Sequence, residues 1–161
     1  MNVIAIRRMA VFALAGLLPM LVAAWSPAFA DSGVAPVNKS FLGGVAIDGY
    51  DPVAYFVSGK PVKGSRAFET TWQGATWRFA TQENRDRFAE APGKFAPQFG
   101  GYCAYAVSQG TTAKIDPDAW KIVDGRLYLN LNKDIQSIWE QDIPGYIRLA
   151  AENWPKLLKG Q

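Results

Sequence analysis

Two β-hairpin signals limit how this chain can fold. Residues 67–80 form two short runs in which aromatic and polar side chains alternate, and Gln73-Gly74 separates the runs. Residues 120–130 have the same form around Asp124-Gly125, a dipeptide that is among the strongest short hairpin signals. A two-residue turn joins only antiparallel strands. We therefore expect two antiparallel hairpins, of which the first has a buried aromatic face.

Residues that cap or end helices predict five helices around these hairpins. The predicted helices cover about residues 51–59, 82–90, 102–108, 133–140 and 144–158. The first begins at Asp51-Pro52, with Asp as the N-cap and Pro at the first helical position. Pro155 indicates a kink or the end of the last helix. This order of elements predicts a small single domain of the α+β class, in which two antiparallel hairpins are covered by short helices.

The first thirty residues have the pattern of an export signal. Arg7 and Arg8 precede an apolar run over residues 9–24, and Ala28-Phe29-Ala30 matches the A-x-A cleavage pattern. The run is shorter than the roughly 20 apolar residues that a membrane-spanning helix needs. The sequence therefore predicts a secretory signal peptide over residues 1–30 that is cleaved after Ala30, which places the protein in the periplasm or outside the cell.

Several further expectations follow from export. The residues around the two arginines fit the general export route better than the twin-arginine route, and no stable membrane anchor is expected after cleavage. Residues 31–40 are small and polar, and predict a flexible leader. The domain itself is then expected over residues 41–158.

The composition excludes several classes of function. The chain has no histidine and one cysteine, Cys103, and all three methionines lie in the predicted signal peptide. Catalysis by a Ser-His-Asp triad and imidazole metal ligands are excluded, as are an internal disulfide and a CxxC redox pair. The net charge of +3 includes the two arginines of the signal peptide, so charge does not indicate a nucleic-acid partner. Cys103 is then the one soft nucleophile or soft metal ligand of the processed chain.

Cys103 is the candidate functional residue. It follows Gly100-Gly101 and is expected near a helix N-terminus, where unpaired amide groups lower the pKa of a thiol. Because small apolar residues follow it, a buried packing role stays equally open. Tyr102 and Tyr105 are three residues apart, which puts both on one face of the expected helix, as pocket wall or as core. The residues expected to line a ligand site are Phe99, Gly100, Gly101, Tyr102, Tyr105 and Ser108.

Seven segments resemble the exported bacterial YHS-domain proteins. They are residues 49–56, 77–80, 84–88, 97–108, 116–120, 123–130 and 153–155, within about residues 41–156. The resemblance implies a small exported module, and a metal-binding role is usually proposed for YHS domains. It also implies redox or soft-ligand chemistry at Cys103, since some relatives in this branch carry selenocysteine at the matching position. The histidine of the family's name is absent here, which conflicts with any role that needs imidazole.

Three functions stay open on the sequence. The first is a module that binds a soft metal ion such as copper, or a small ligand, around Cys103, with a homodimer able to supply two thiolates. The second is a thiol-dependent redox enzyme or sensor, which needs an external reductant. The third is a structural or interaction domain with a buried, non-functional cysteine. An accessible sulfur beside a pocket favours the first two, and a buried sulfur favours the third.

Overall fold

The computed structural model describes residues 33–161, so the predicted signal peptide and residues 31 and 32 lie outside the described residues. The described part contains four β-strands and six α-helices. The strands are β1 Ser65–Trp72, β2 Ala75–Phe79, β3 Asp116–Val123 and β4 Arg126–Asn130. The helices are α1 Ala54–Val57, α2 Gln82–Glu90, α3 Pro92–Phe95, α4 Ala104–Ser108, α5 Lys133–Trp139 and α6 Ile143–Lys159. The predicted α+β domain with two antiparallel hairpins is confirmed.

Each hairpin turns at the predicted dipeptide. Trp72 pairs with Ala75 across Gln73-Gly74, and Val123 pairs with Arg126 across Asp124-Gly125. The two hairpins form separate two-stranded sheets. A two-stranded ribbon is not stable alone in water, so each hairpin depends on the helices that cover it.

The aromatic face of the first hairpin is buried, as predicted. Trp77 and Phe79 of β2 lie with their ring centroids 5.1 and 5.2 Å from the ring of Phe88 on α2, and all three residues are almost fully buried. Trp72 adds an edge-on contact at 5.8 Å to Phe88. Burial of one such ring contributes on the order of 2 kcal/mol. This cluster therefore fixes α2 on the hairpin.

The buried carboxylate of Asp51 joins three elements. Its Oδ1 accepts hydrogen bonds from the backbone N–H groups of Val53 and Ala54 at 2.8 and 3.2 Å. Its Oδ2 accepts from the backbone N–H of Ala80 at 2.8 Å and from the side-chain amide of Asn84 at 2.7 Å. Helix α1 begins at Ala54 rather than at the predicted Pro52, because residues 52 and 53 form a turn that the Asp51 carboxylate caps. The same side chain also ties α1 to the end of β2 and to α2.

Helices α2, α5 and α6 begin within one residue of where the sequence predicts, whereas α4 begins at Ala104 rather than at residue 102. Thr81, Asn132 and Asp142 each accept a hydrogen bond from the backbone N–H three residues further on. Helix α6 runs from Ile143 to Lys159, close to the predicted range of 144–158, and Pro155 lies inside it, so the alternative that Pro155 ends the helix is wrong. Among residues 33–161, no helix combines the length and apolar character needed to span a bilayer.

Residues 34–39, predicted to belong to a flexible leader, pack against the domain instead. The backbone N–H of Val34 donates to the carbonyl of Leu157 at 3.0 Å, and that of Asn38 donates to the carbonyl of Gly100 at 2.8 Å. The side chain of Val37 is buried in the core. The prediction fails because these partners lie far along the chain from the segment. The composition of the segment itself does not indicate them. The domain therefore begins before residue 41.

Candidate functional site

Cys103 is the N-cap residue of α4 and its side chain is buried. Only 1% of the residue is exposed. The sulfur accepts a hydrogen bond from the backbone N–H of Ala106 at 3.5 Å, and the thiol donates to Oδ1 of Asn130 at 3.7 Å. The backbone of Cys103 also forms a parallel bridge to Leu129 of β4. The thiol thus lies between α4 and the second hairpin, where solvent does not reach it.

Burial raises the pKa of the Cys103 thiol. Backbone N–H groups of Ala106, Leu131 and Tyr105 act in the opposite direction, but their effect is smaller than the loss of hydration. The expectation that the helix N-terminus lowers this pKa is therefore wrong. Helix α4 has five residues and the sulfur is removed from water, so desolvation decides the direction. A buried thiol with a raised pKa is typical of a packing residue rather than a nucleophile.

Asn130 is the partner of Cys103 that the sequence analysis missed. It is fully buried at the end of β4, and its Oδ1 also accepts from the backbone N–H of Tyr105 at 3.3 Å. Its Nδ2 has no hydrogen-bond partner among residues 33–161. The sequence signal that could have indicated Asn130 is its place as a polar residue directly after the apolar run of residues 127–129. A buried amide at that position needs hydrogen-bond partners.

The two tyrosines beside Cys103 do not share a helix face. Tyr102 precedes α4 and packs against Trp154, with ring centroids 5.9 Å apart. Tyr105 lies within α4 and packs against Tyr146 at 5.2 Å. The interpretation that both tyrosines lie on one face is therefore wrong, because the helix starts after Tyr102. Ser108 is buried at the other end of α4, where its hydroxyl donates to the carbonyl of Tyr105 at 2.6 Å.

An aromatic groove opens on the other side of the segment that precedes Cys103. We call it the tryptophan groove; it has a volume of about 550 Å³. Its lining residues come from the N-terminal segment, the first hairpin, residues 93–100 and α6. They are Pro36, Trp72, Gln73, Trp77, Gly93, Ala96, Pro97, Gln98, Phe99, Gly100, Trp154 and Leu158. Of the six residues expected to line a ligand site, Phe99 and Gly100 line this groove. Cys103 is not among its lining residues.

Gly100 and Gly101 make the turn that shapes this region. Both have positive φ, at +61° and +78°, a backbone conformation that favours glycine. A Cβ on Gly100 would lie 2.1 Å from the carbonyl oxygen of Pro36, and one on Gly101 would lie 2.6 Å from Cγ2 of Ile47. The two glycines, which were expected to line a ligand site, therefore make room for Pro36 and Ile47 of the protein itself.

A YHS domain is found at residues 53–99, where the family model for the YHS domain matches. The matched segment contains the first hairpin with α1, α2 and α3, and it ends at Phe99 in the wall of the tryptophan groove. Cys103 and the second hairpin lie after it. No match to the chain was found among curated proteins or among solved structures.

The residues around Cys103 do not fit a metal ion. Within the described part of the chain, no three His, Cys, Asp or Glu side chains come together in a way that could hold one. The hydrogen-bonding partners of the sulfur are Oδ1 of Asn130, a hard oxygen donor that does not suit a soft metal, and the backbone N–H of Ala106, which is not a metal ligand. A soft metal also needs a deprotonated thiolate, which burial of Cys103 disfavours. We therefore derive no metal chemistry from this site.

Proposed function

We propose that this protein is a non-catalytic binding module that holds a small, uncharged ligand with a flat apolar face in the tryptophan groove. The observation that carries this proposal is the groove itself, in which Trp72, Trp154 and Phe99 form walls above the buried ring of Trp77. The proposal keeps the small-ligand function expected from the sequence. It moves the ligand from Cys103 to the neighbouring groove.

The size and chemistry of the groove support a ligand of this class. A volume of about 550 Å³ lies within the range of roughly 300–1,000 Å³ that is usual for small-molecule sites. None of the groove's lining residues is charged, so a charged ligand would lose hydration without gaining an ionic partner. Gln73 and Gln98 supply carboxamides that can donate and accept hydrogen bonds at the rim. Indole rings favour flat apolar surfaces, onto which they stack.

Cys103 has a packing role in this proposal. A redox function needs the sulfur to reach an oxidant or a substrate, and its burial opposes that. The contacts of the thiol with α4 and β4 instead support a residue that fastens the helix to the second hairpin. This corresponds to the third of the functions that the sequence left open for the cysteine.

We also propose that the protein works in the periplasm or outside the cell. The support is the sequence of residues 1–30, with its two arginines, apolar run and A-x-A pattern. The intact mass of the protein purified from expressing cells tests this directly. A mass that corresponds to a chain beginning at Asp31 supports export, and retention of the first thirty residues contradicts it.

Substitution of Gly93 tests the groove without disturbing the core. Gly93 lies in α3 on the groove wall, and a Cβ built there meets no atom within 4 Å. Gly93→Trp therefore fills the groove, and Gly93→Ala is the matched control that adds one methyl group at the same backbone position. Nile red, an uncharged planar apolar dye, serves as the probe, and its fluorescence reports binding.

We expect saturable binding of Nile red to the wild type and to Gly93→Ala, and a loss of affinity of at least about tenfold in Gly93→Trp, because the new ring occupies the ligand's space. Equal affinity of Gly93→Trp and wild type would place the dye elsewhere and contradict the proposal. Absence of saturable binding to the wild type would do the same.

A further inference from the structure

The loop over residues 40–44 presents two large apolar side chains to solvent. Phe41 is 100% exposed and Leu42 is 84% exposed, the two highest values among the large hydrophobic residues of the described part. Full exposure of an aromatic ring and a leucine side by side costs hydrophobic free energy in water. Such a pair is therefore a candidate contact surface.

The loop is held in this shape by its own hydrogen bonds. The backbone N–H of Ser40 donates to the carbonyl of Val45 at 2.9 Å, and that of Gly44 donates to the carbonyl of Ser40 at 3.2 Å. The Ser40 hydroxyl accepts from the N–H of Val45 at 3.1 Å and donates to the carbonyl of Leu42 at 2.9 Å. Gly43 and Gly44 have positive φ, which allows the tight turn. The fold thus fixes the two side chains at the tip of a closed turn.

Positive charge surrounds this tip on two sides. A groove on one side of the loop is lined by Leu42 together with Lys63, Arg66 and Arg78. A second groove is lined by Phe41 together with Lys39 and Lys114. Asp48 is the acidic residue that lines both grooves, and Glu69 forms an ion pair with Arg78. The cations outnumber the acidic groups around the tip.

We propose that this loop docks the protein on an anionic lipid bilayer, with Phe41 and Leu42 inserted among the headgroups and the surrounding cations against lipid phosphates. Apolar side chains with basic neighbours are the pattern by which proteins bind at a membrane interface. A stable protein partner normally covers 20–30 residues on each side, roughly 800 Å², and a two-residue tip offers much less. A bilayer requires only that the tip enter the interface, and its negative charge complements the cations. This favours a lipid surface over a protein partner.

Vesicle sedimentation of the purified protein tests the proposal. Intact mass first establishes that the wild type and all variants have the same N-terminus. The vesicles contain either phosphatidylcholine alone or phosphatidylcholine and phosphatidylglycerol in equal parts. We expect the wild type to bind the anionic vesicles and to bind phosphatidylcholine far more weakly. Added salt should weaken binding, because it screens the interaction between the cations and the lipid phosphates.

Two variants separate the roles of the tip and of the cations. Phe41→Ser/Leu42→Ser should lower partitioning at least about tenfold, because it removes the inserted side chains. Lys63→Gln/Arg66→Gln should lower it about 25-fold, roughly fivefold for each cation removed. The control Lys156→Gln/Lys159→Gln removes the same charge from α6, away from both grooves, and should change partitioning much less. All of the substituted side chains are exposed, so we expect each variant to fold. Circular dichroism checks this.

The proposal is overturned if the wild type does not bind anionic vesicles, or if the tip variant binds as well as the wild type. It is also overturned if the α6 variant loses as much binding as the Lys63/Arg66 variant, since binding would then reflect net charge alone. Nile red binding to the tip variant should equal that of the wild type. The vesicle result is therefore independent of the function proposed for the tryptophan groove.

Discussion

The carboxylate of Asp51 accepts a hydrogen bond from the side-chain amide of Asn84 at 2.7 Å, and both residues are buried. Asn84 lies within the YHS match at residues 53–99, whereas Asp51 lies just before it. Their contact places the start of α1 against α2, at the end of β2. We infer that this polar pair, rather than any catalytic chemistry, explains the Asp at position 51.

Substitution of Asp51 should destabilise the protein strongly. Asp51→Ala leaves the N–H groups of Val53, Ala54 and Ala80 and the amide of Asn84 without their acceptor. We expect a loss of at least about 4 kcal/mol in the free energy of unfolding, since four donors lose their acceptor and each buried donor left unpaired costs about 1–3 kcal/mol. Urea denaturation followed by tryptophan fluorescence measures it.

Asp86→Ala is the matched control for this prediction. Asp86 is an exposed acidic residue of α2 that pairs with Arg85. Its removal should cost less than about 1 kcal/mol. A loss for Asp51→Ala as small as that for Asp86→Ala would show that the buried carboxylate does not connect these elements.

The free energy of unfolding should decrease at alkaline pH, and Cys103 should be the first group to cause the decrease. Burial raises the pKa of the folded-state thiol above the value of about 8.5 expected in the unfolded chain. The protonated thiol then contributes fully to the free energy of unfolding below about pH 8.5. This contribution is lost as the pH rises through the folded-state pKa, because the unfolded chain releases its proton at a lower pH than the folded chain. The slope reaches at most about 1.4 kcal/mol per pH unit for one group.

Cys103→Ala should abolish the part of this fall that begins between about pH 8.5 and 10. Above about pH 10 a further fall should remain, because burial also raises the pKa of Tyr55, whose hydroxyl donates to the carbonyl of Pro117. Denaturation curves at a series of pH values compare the two chains. An identical pH dependence of variant and wild type below about pH 10 would refute the prediction.

One chemical change, Gly to Ala, should have opposite effects at two positions. At Gly100 the added Cβ would lie 2.1 Å from the carbonyl oxygen of Pro36, at a positive φ, so Gly100→Ala should cost about 2 kcal/mol or more and release the segment around Val37. At Gly93 the Cβ meets open space in a helix, so Gly93→Ala should be neutral or stabilise by up to about 1 kcal/mol. Thermal unfolding and limited proteolysis of the N-terminal segment measure both. Equal effects of the two substitutions would contradict the packing described at Gly100.

Asn130→Asp should make the stability depend on acidic pH. The Oδ1 acceptor for Tyr105 and Cys103 is kept, and the amide that is lost has no partner in the described chain, so a protonated Asp fits the site. An ionised Asp is disfavoured there by burial, so its folded-state pKa lies above the value of about 3.9 of an exposed group. We expect a loss of about 2–4 kcal/mol at neutral pH that is recovered as the pH falls through that raised pKa.

Asn132→Asp provides the comparison for Asn130→Asp. Asn132 is exposed and caps α5, and Asp is an equally good N-cap, so its substitution should change stability by only a few tenths of a kcal/mol. Urea denaturation near pH 4 and near pH 7 separates the two variants. If Asn130→Asp is as stable as Asn132→Asp at neutral pH, then position 130 is not the dry polar site described here.

Turns and helix starts that are determined by residues close in sequence could be predicted. Asp124-Gly125 determines its hairpin because the dipeptide itself adopts the required turn, and Asn132 caps α5 through a contact three residues away. Helix α3 was missed because Pro92-Gly93 after α2 reads locally as a stop, while Pro92 in fact begins a new turn of helix.

The candidate site depends on contacts that no local pattern contains. The burial of Cys103 is decided by Leu129 and Asn130, which reach it only after the second hairpin has formed. The tryptophan groove likewise combines Trp72 of β1 with Trp154 of α6. The sequence predicts a functional site around residues 99–103, and this stays a prediction. It could not show which side of that segment faces solvent.

Enclosure of the Cys103 sulfur has a consequence for how the protein responds to an oxidant. A folded molecule presents no thiol to a second copy, so contact between intact molecules leaves no covalent trace. Where an oxidant such as dioxygen takes up two electrons and two protons, two opened molecules can be joined by a disulfide bond between their sulfurs. That bond then prevents each chain from burying its cysteine again. A disulfide-linked dimer would therefore identify molecules that have opened, until a reductant cleaves the bond, while intact molecules stay monomeric thiols.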